Sequence, residues 1–259
     1  MNRTIATLAA TFGAAASLAV PAVSQAASAG SVLYDSTPKP GTVSVPSVGP
    51  EAYAFNRVGN EVLLRNHQSA VRHVSVTMSS WACQSGDWQT GCTTKPGAKF
   101  RVPITLNLYR YAKTNRTTGV AKPGARILSV TKTFSVKYRP SSVSAAESRY
   151  MGSDGVLHNG IAQTITFPVN VKLPNDVVWT VSYNTNTSGI HPLSQASPAD
   201  SLNVGLSPNV RVSHDRVPGT IMWDTRFASF TGGAPFVTGE LNRDSGWAGY
   251  VPAARFSTR

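Results

Sequence analysis

From residue 71 onward, apolar and polar side chains alternate with a period of two, the pattern of strands with one buried and one wet face. In 72–79, Val74, Val76 and Met78 alternate with His73, Ser75, Thr77 and Ser79. In 102–111, Ile104, Leu106 and Leu108 fall on one side, Thr105, Asn107 and Tyr109 on the other. The longest run is 127–138, where Leu128, Val130, Phe134, Val136 and Tyr138 share a face on which Lys132 is the exception. Three further runs repeat the pattern: Ile161, Ile165 and Phe167; Val177, Trp179, Val181 and Tyr183; and Leu202, Val204 and Leu206. Shorter signals sit at 31–34, read as an edge strand, and at 52–56, 61–65, 210–213, 220–224 and 253–257. Turn chemistry separates them, as in Lys95-Pro96-Gly97, Ser153-Asp154-Gly155 and Val217-Pro218-Gly219. Beyond residue 29 no segment keeps a helical apolar stripe for three turns. The chain is therefore predicted to be all-β, an antiparallel two-sheet β-sandwich of jelly-roll or immunoglobulin-like topology. With no repeat and no clear linker, residues 30–259 are read as a single domain whose Pro- and Ser-rich lead-in is 30–50.

The first 29 residues do not belong to this pattern. One positive charge at Arg3 precedes an Ala-dominated apolar stretch from Ile5 to Val20, which Pro21 ends. Ala27-Ser28-Ala29 then supplies the small residues that signal peptidase requires, so 1–29 is expected to be a secretory signal peptide. The stretch is diluted by Thr7, Thr11, Gly13 and Ser17 and is shorter than the ~20 apolar residues of a bilayer span. A secreted, extracellular protein with no transmembrane segment in its mature chain is expected. Export changes the meaning of the two cysteines, Cys83 and Cys92. In an oxidising space a pair nine positions apart forms one local disulfide. The loop-closure model gives it roughly 2.5–3 kcal/mol. A metal site would need further ligands, and no histidine neighbours the pair.

Several segments resemble a family of secreted bacterial proteins with no assigned function. They are Met78 through Trp88, Pro103 through Tyr109, Phe134 through Ser141, Asn159 through Phe167, Leu173 through Trp179, Ser182 through Thr185, and Asp200 through Leu206. The likeness covers roughly residues 60–256. It implies a β-sandwich and export, and it brings no catalytic residues to carry over. Family members often have further cysteines around the segment matching 141–160 and near the C-terminus, and this chain has none there.

Charge narrows the partners. The formal net charge is +12, although charged residues make up only 14% of the chain. Between Asp87 and Glu147 no acidic residue occurs, while eleven basic ones do, among them Arg110, Lys132 and Lys137. A field of one sign attracts anionic polymers, and the alternative is charge kept for solubility.

Signals for catalysis are poor. The five histidines are scattered, with no pair four apart beside a glutamate, and no Gly-x-Ser-x-Gly elbow occurs. Ser129-Val130-Thr131-Lys132 has nucleophile spacing, but in a strand positions three apart face opposite sides. Glycoside hydrolysis would draw its carboxylate pair from Asp200, Asp215, Asp224, Glu240 and Asp244. No cofactor, metal site or specific nucleic-acid motif is expected.

Loop aromatics next to amides suit sugars better, since ring faces stack on sugar faces while amides bond hydroxyls. Trp88, Tyr183, Asn184, Trp247 and Tyr250 are the ligand-binding candidates. The competing reading has Trp88 covering the disulfide and Tyr183 and Trp247 filling the core, with Trp81 and Trp179 assigned to packing. The expectation is a non-catalytic extracellular module that binds a glycan or an anionic wall polymer. The alternatives are a polysaccharide-acting enzyme and a structural component of an extracellular layer.

Processing is directly testable. Intact mass of protein recovered from culture medium should place the mature N-terminus at Ala27 or Gly30. A species retaining Met1 would exclude cleavage.

Overall fold

The computed structural model describes residues 30–65, 70–111, 123–144, 146–185, 197–225 and 239–259; the expected signal peptide lies outside them. The chain opens with β1 (Val32–Asp35) and β2 (Ser47–Val48), turns through α1 (Pro50–Tyr53), and enters β3 (Phe55–Leu63) and β4 (Val71–Ser80). A small hairpin, β5 (Ser85–Asp87) and β6 (Gly91–Thr93), precedes the long strands β7 (Lys99–Arg110) and β8 (Arg126–Lys137). A second hairpin, β9 (Tyr150–Met151) and β10 (Leu157–His158), leads to β11 (Ile161–Val171) and β12 (Asp176–Ser182). A 3-10 turn over Pro198–Ser201 opens onto β13 (Leu202–Ser207) and β14 (His214–Asp215). The last strands are β15 (Ile221–Thr225), β16 (Asn242–Asp244), β17 (Val251–Pro252) and β18 (Ala254–Ser257).

Two antiparallel sheets pack face to face, as the alternation predicts. In the first, β4 pairs with β11 along one side and with β18 and then β13 along the other. β1 borders β18 at the sheet's edge, and β2 and β17 join β13. The second sheet runs β16-β15-β3-β12-β7-β8, with β14 beside β3. Between the sheets lie Val74, Val76, Met78, Phe167 and Phe256 from the first and Ile104, Leu106, Leu108 and Trp179 from the second, all without solvent exposure. Truncating a side chain such as Trp179 to alanine in this setting costs about 3–5 kcal/mol.

One simple expectation fails. The second sheet's outer face is not uniformly wet: Val178 and Thr180 on β12 are fully buried there. Tyr109, Val178, Met222 and Leu241 form a second apolar cluster on that side, which explains why five consecutive residues of β12 are buried. The weak signals at 52–56 and 61–65 resolve into α1 and one strand, β3. Polar residues interrupt its alternation because they are buried with partners: Asn60 donates to Asp215 Oδ1 (3.1 Å) and Arg243 donates to Glu61 Oε2 (3.0 Å). The signal at 210–213 gives no strand, only an isolated bridge between Asp35 and Val212.

The free edges of β8 and β11 meet on one side of the sandwich. Lys137 N donates to Gln163 Oε1 (3.1 Å), and Gln163 Nε2 donates to Ser135 O (2.9 Å), so one side-chain amide pairs with β8 as a strand would. Lys132 Nζ donates to Thr166 O on β11 (3.0 Å) and lies 5.0 Å from the Phe134 ring centre. Such stitching blunts edges that would otherwise recruit another chain.

On the outer side of the second sheet, Glu61 is fully buried beside Arg243, Arg216 and Asp176. Burial raises its carboxyl to about 7, against the lowering by Arg243 and with a further push from Asp176. A raised acid stabilises the fold at low pH. Its contribution is complete below the ordinary value near 4.5 and is lost as pH rises through about 7. Denaturation across pH 4.5–8 should therefore show wild type gaining stability relative to Glu61→Gln as pH falls through this window. A pH-independent difference would refute the assignment.

Candidate functional site

The aromatic residues gather at one end of the first sheet. Along β4, Ser75, Thr77 and Ser79 point away from the core, and Trp81 follows in the same phase just past the strand. Its backbone N–H donates to Ser201 O (2.9 Å). Gly160 lies flat against the indole, where a Cβ would come within 2.3 Å of the ring, so only glycine leaves room for it.

Two residues further on begins the loop closed by the Cys83–Cys92 disulfide, whose Cα atoms are 5.3 Å apart. β5 and β6 pair within it, and Asp87 Oδ1 accepts from Gln89 N and Thr90 N, both at 2.7 Å, fixing the tip. Trp88 projects from that tip and meets Trp81 edge to face, ring centres 5.1 Å apart. The opposite wall comes from α1 and the segment after β16. Tyr53 packs on Trp247 with centres 5.9 Å apart, and Trp247 Nε1 donates to Asp244 Oδ2 (3.0 Å).

A carboxylate joins the halves. Glu51, in the first turn of α1, accepts from Trp88 Nε1 at Oε2 (2.7 Å) and from Ser201 Oγ at Oε1. Burial pushes its carboxyl above the ordinary range, although both hydrogen bonds favour the charged form. Glu51 thus pins an indole that would otherwise swing with its loop. Asn203 completes the polar lining, its Nδ2 donating to Ser47 Oγ (3.1 Å). Gly49 lies so close that a Cβ there would sit 2.2 Å from Asn203 Oδ1. Most of these residues line an open-mouthed cavity of about 350 Å³. Four aromatic rings, an amide, a hydroxyl and a held carboxylate suit a ligand with apolar faces and hydroxyl edges.

Of the residues singled out in the sequence, Trp88 and Trp247 are brought together here. Tyr183 is in the core, its hydroxyl donating to Leu202 O and its ring edge-on to Phe55 at 6.0 Å. Asn184 is exposed outside the cavity. Tyr250 lines a separate hollow with Pro208, Val210 and His214. Sequence reasoning did not select Glu51, Tyr53 and Asn203, and it assigned Trp81 to packing.

Among the described residues the basic run does not form one patch. Lys99 and Lys137 face each other across β7 and β8, with exposed Arg101 beside them. Arg110 sits at the far end of β7, roughly 36 Å away at strand rise. Lys132 stitches β8 to β11, and Arg139 is buried, donating to Ser148 O beneath Tyr150. Lys113, Arg116 and Lys122 lie outside the described residues. Among the described residues no helix is long and apolar enough to cross a membrane.

Comparison of the chain with protein-family models, curated proteins and solved structures returned no match.

If Glu51 holds Trp88, Glu51→Ala leaves the indole N–H and the Ser201 hydroxyl without their acceptor. Stability should fall by about 1–3 kcal/mol, and acrylamide quenching of tryptophan fluorescence should increase. Unchanged quenching in the folded variant would show that the loop alone fixes Trp88.

Proposed function

We propose that this protein is exported and binds carbohydrate without catalysis, through the cavity walled by Trp81, Trp88, Tyr53 and Trp247. The observation that carries the reading is the fixed geometry of those rings, two of which are anchored through their indole N–H groups by Glu51 and Asp244. Anchored rings lose little conformational freedom on binding, so stacking on a sugar face is not offset by ordering. Asn203 and Ser47 offer the amide and hydroxyl groups that sugar hydroxyls need.

The carboxylate count favours binding over hydrolysis. Glycoside hydrolysis uses two carboxyl groups about 5–9.5 Å apart. Glu51 alone lines the cavity among the described residues, and both its oxygens accept internal hydrogen bonds. Four of the five acids considered for such a pair are also engaged. Asp224 pairs with Arg57, Asp215 accepts from Asn60 and Val217 N, Asp244 holds Trp247, and Asp200 caps the 3-10 turn. For export, the support is the disulfide, the signal-like N-terminal sequence and the family resemblance.

A glycan array with the mature protein tests the reading, followed by calorimetry on the best neutral oligosaccharide. Trp88→Ala and Trp247→Ala should each weaken binding about tenfold or more, which is ~1.4 kcal/mol. Lys137→Gln should leave it unchanged. Absence of any neutral glycan ligand, or undiminished affinity in both tryptophan variants, would overturn the proposal.

A further inference from the structure

A second cavity lies on the same outer face, built from different chemistry. After β1 the chain turns at Lys39-Pro40-Gly41-Thr42, where Thr42 N donates to Lys39 O (3.2 Å) and Gly41 takes a φ of +84°. It then crosses the first sheet as a strap, with Ala162 N donating to Val43 O (2.8 Å) and Leu206 N to Pro46 O (2.7 Å). Gly205 lies beneath, where a Cβ would meet Val45 Cγ2 at 2.9 Å. The strap divides the outer face. Trp81 and Asn203 lie on one side, and a cleft of about 370 Å³ on the other.

Three cations line that cleft: Lys39, Arg211 and Arg255. One carboxylate, Asp35, stands behind them, and it pairs with Arg211 alone of the three. Its Oδ1 accepts from Thr37 N (2.9 Å) and Thr37 Oγ1 (2.7 Å), and its Oδ2 from Arg211 Nη2 (2.9 Å). Arg211 is thereby oriented through one nitrogen, which leaves further donors. Lys39 and Arg255 have no carboxylate within ion-pair distance among the described residues.

The floor is hydroxylic. Strand register sets Arg255, Ser75 and Thr166 in one row across β18, β4 and β11, with Thr77 and Thr164 in the next. Ser75 and Thr166 share a hydrogen bond of 2.9 Å, Thr77 and Thr164 one of 3.1 Å. Thr77 is fully buried and Thr166 lies outside the lining, so the hydroxyls that meet a guest are those of Ser75 and Thr164, one from each pair.

We infer that this cleft binds an oxyanion carried on a polyhydroxylated unit, with Arg255, Lys39 and Arg211 taking the charge and the hydroxyl rows the neighbouring oxygens. Both a uronate sugar and a polyol phosphate present that chemistry. The site is independent of the aromatic cavity and does not rest on its reading. It also differs from the Lys99–Lys137 pair, which faces outward on the other sheet.

The test titrates ¹⁵N-labelled mature protein at low salt with inorganic phosphate, glycerol phosphate, a uronate oligosaccharide and a neutral oligosaccharide. Glycerol phosphate or the uronate should move the amides of Thr37, Lys39, Gly41, Thr42, 75–77, 162–164 and 211, more strongly than inorganic phosphate, and the two arms separate the sources. The neutral sugar should leave those amides still. Lys39→Gln/Arg255→Gln removes two exposed charges without breaking an internal pair, so the fold should persist, as a thermal melt would check. Its affinity should drop at least tenfold, while Lys99→Gln/Lys137→Gln and Trp88→Ala retain wild-type affinity. Equal loss in the Lys99/Lys137 variant would mean generic charge attraction, and no loss in the Lys39/Arg255 variant would place the anion elsewhere. Either result overturns the assignment. So does a response to inorganic phosphate alone, because the hydroxyl rows would then contribute nothing.

Discussion

The hydrogen bonding of β4 on both edges is the constraint from which the rest follows. β11 pairs with it over its whole length, and β18 and β13 divide the other side between them. A strand held in this way cannot slip by one residue without exchanging its two faces. Slippage would expose Val74, Val76 and Met78, all fully buried, and would drive Ser75, Thr77 and Ser79 into the core. The same lock that forms the core therefore fixes what lies outside. It aligns a row of hydroxyl groups and then Trp81, so both cavities are laid out along the outer face of one strand.

The long strands β8 and β11 leave this sandwich with edges to protect, and the chain protects them with side chains. Gln163 reproduces half of a strand pairing at β8, and Lys132 reaches β11 from the neighbouring phase. An ammonium group in this position explains why a lysine interrupts the longest apolar face in the sequence: at the exposed rim its charge bonds a carbonyl and lies over the Phe134 ring. The charge run around it is thus a product of several unrelated structural needs. Arg139 supports the segment beside the disulfide, and Lys99 and Lys137 remain on the surface.

What was legible in the sequence was whatever depends on neighbours along the chain. The alternation located β4, β7, β8, β11, β12 and β13 because each has one face in the core. β3 was hard to read because Asn60 and Glu61 are polar and yet buried. Their partners Asp215 and Arg243 lie more than 150 residues away, beyond any local pattern. β16 contains no apolar residue at all, and its pairing with β15 is its only mark. At the site, Trp88 and Trp247 stand out as aromatics in loops, whereas Glu51 looks like any acid in a helical first turn. Its role exists only because residues 88 and 201 arrive beside it. Trp81 was readable after all. Counting by twos from Ser75 places it on the outer face, and its nearness to a strand gives the weaker clue.

The two proposed sites differ in how they should respond to salt, and the geometry says why they stay separate. Thr77 in the cleft and Trp81 in the aromatic cavity are four residues apart along β4 and its continuation, about 13 Å at strand rise. The field of exposed charges decays over ~8 Å at physiological ionic strength. Lys39, Arg211 and Arg255 therefore exert only a damped influence on a guest beside Trp81. The one carboxylate in the aromatic cavity is buried and engaged by two donors, so it adds little to that damped field. A guest that stacks between Trp88 and Trp247 would gain from ring contact, which salt does not screen, whereas a guest at Arg255 would gain from charge, which salt does screen. The strap over Gly205 keeps these two chemistries apart along the outer face of one strand, and it is held there by backbone hydrogen bonds to both β11 and β13.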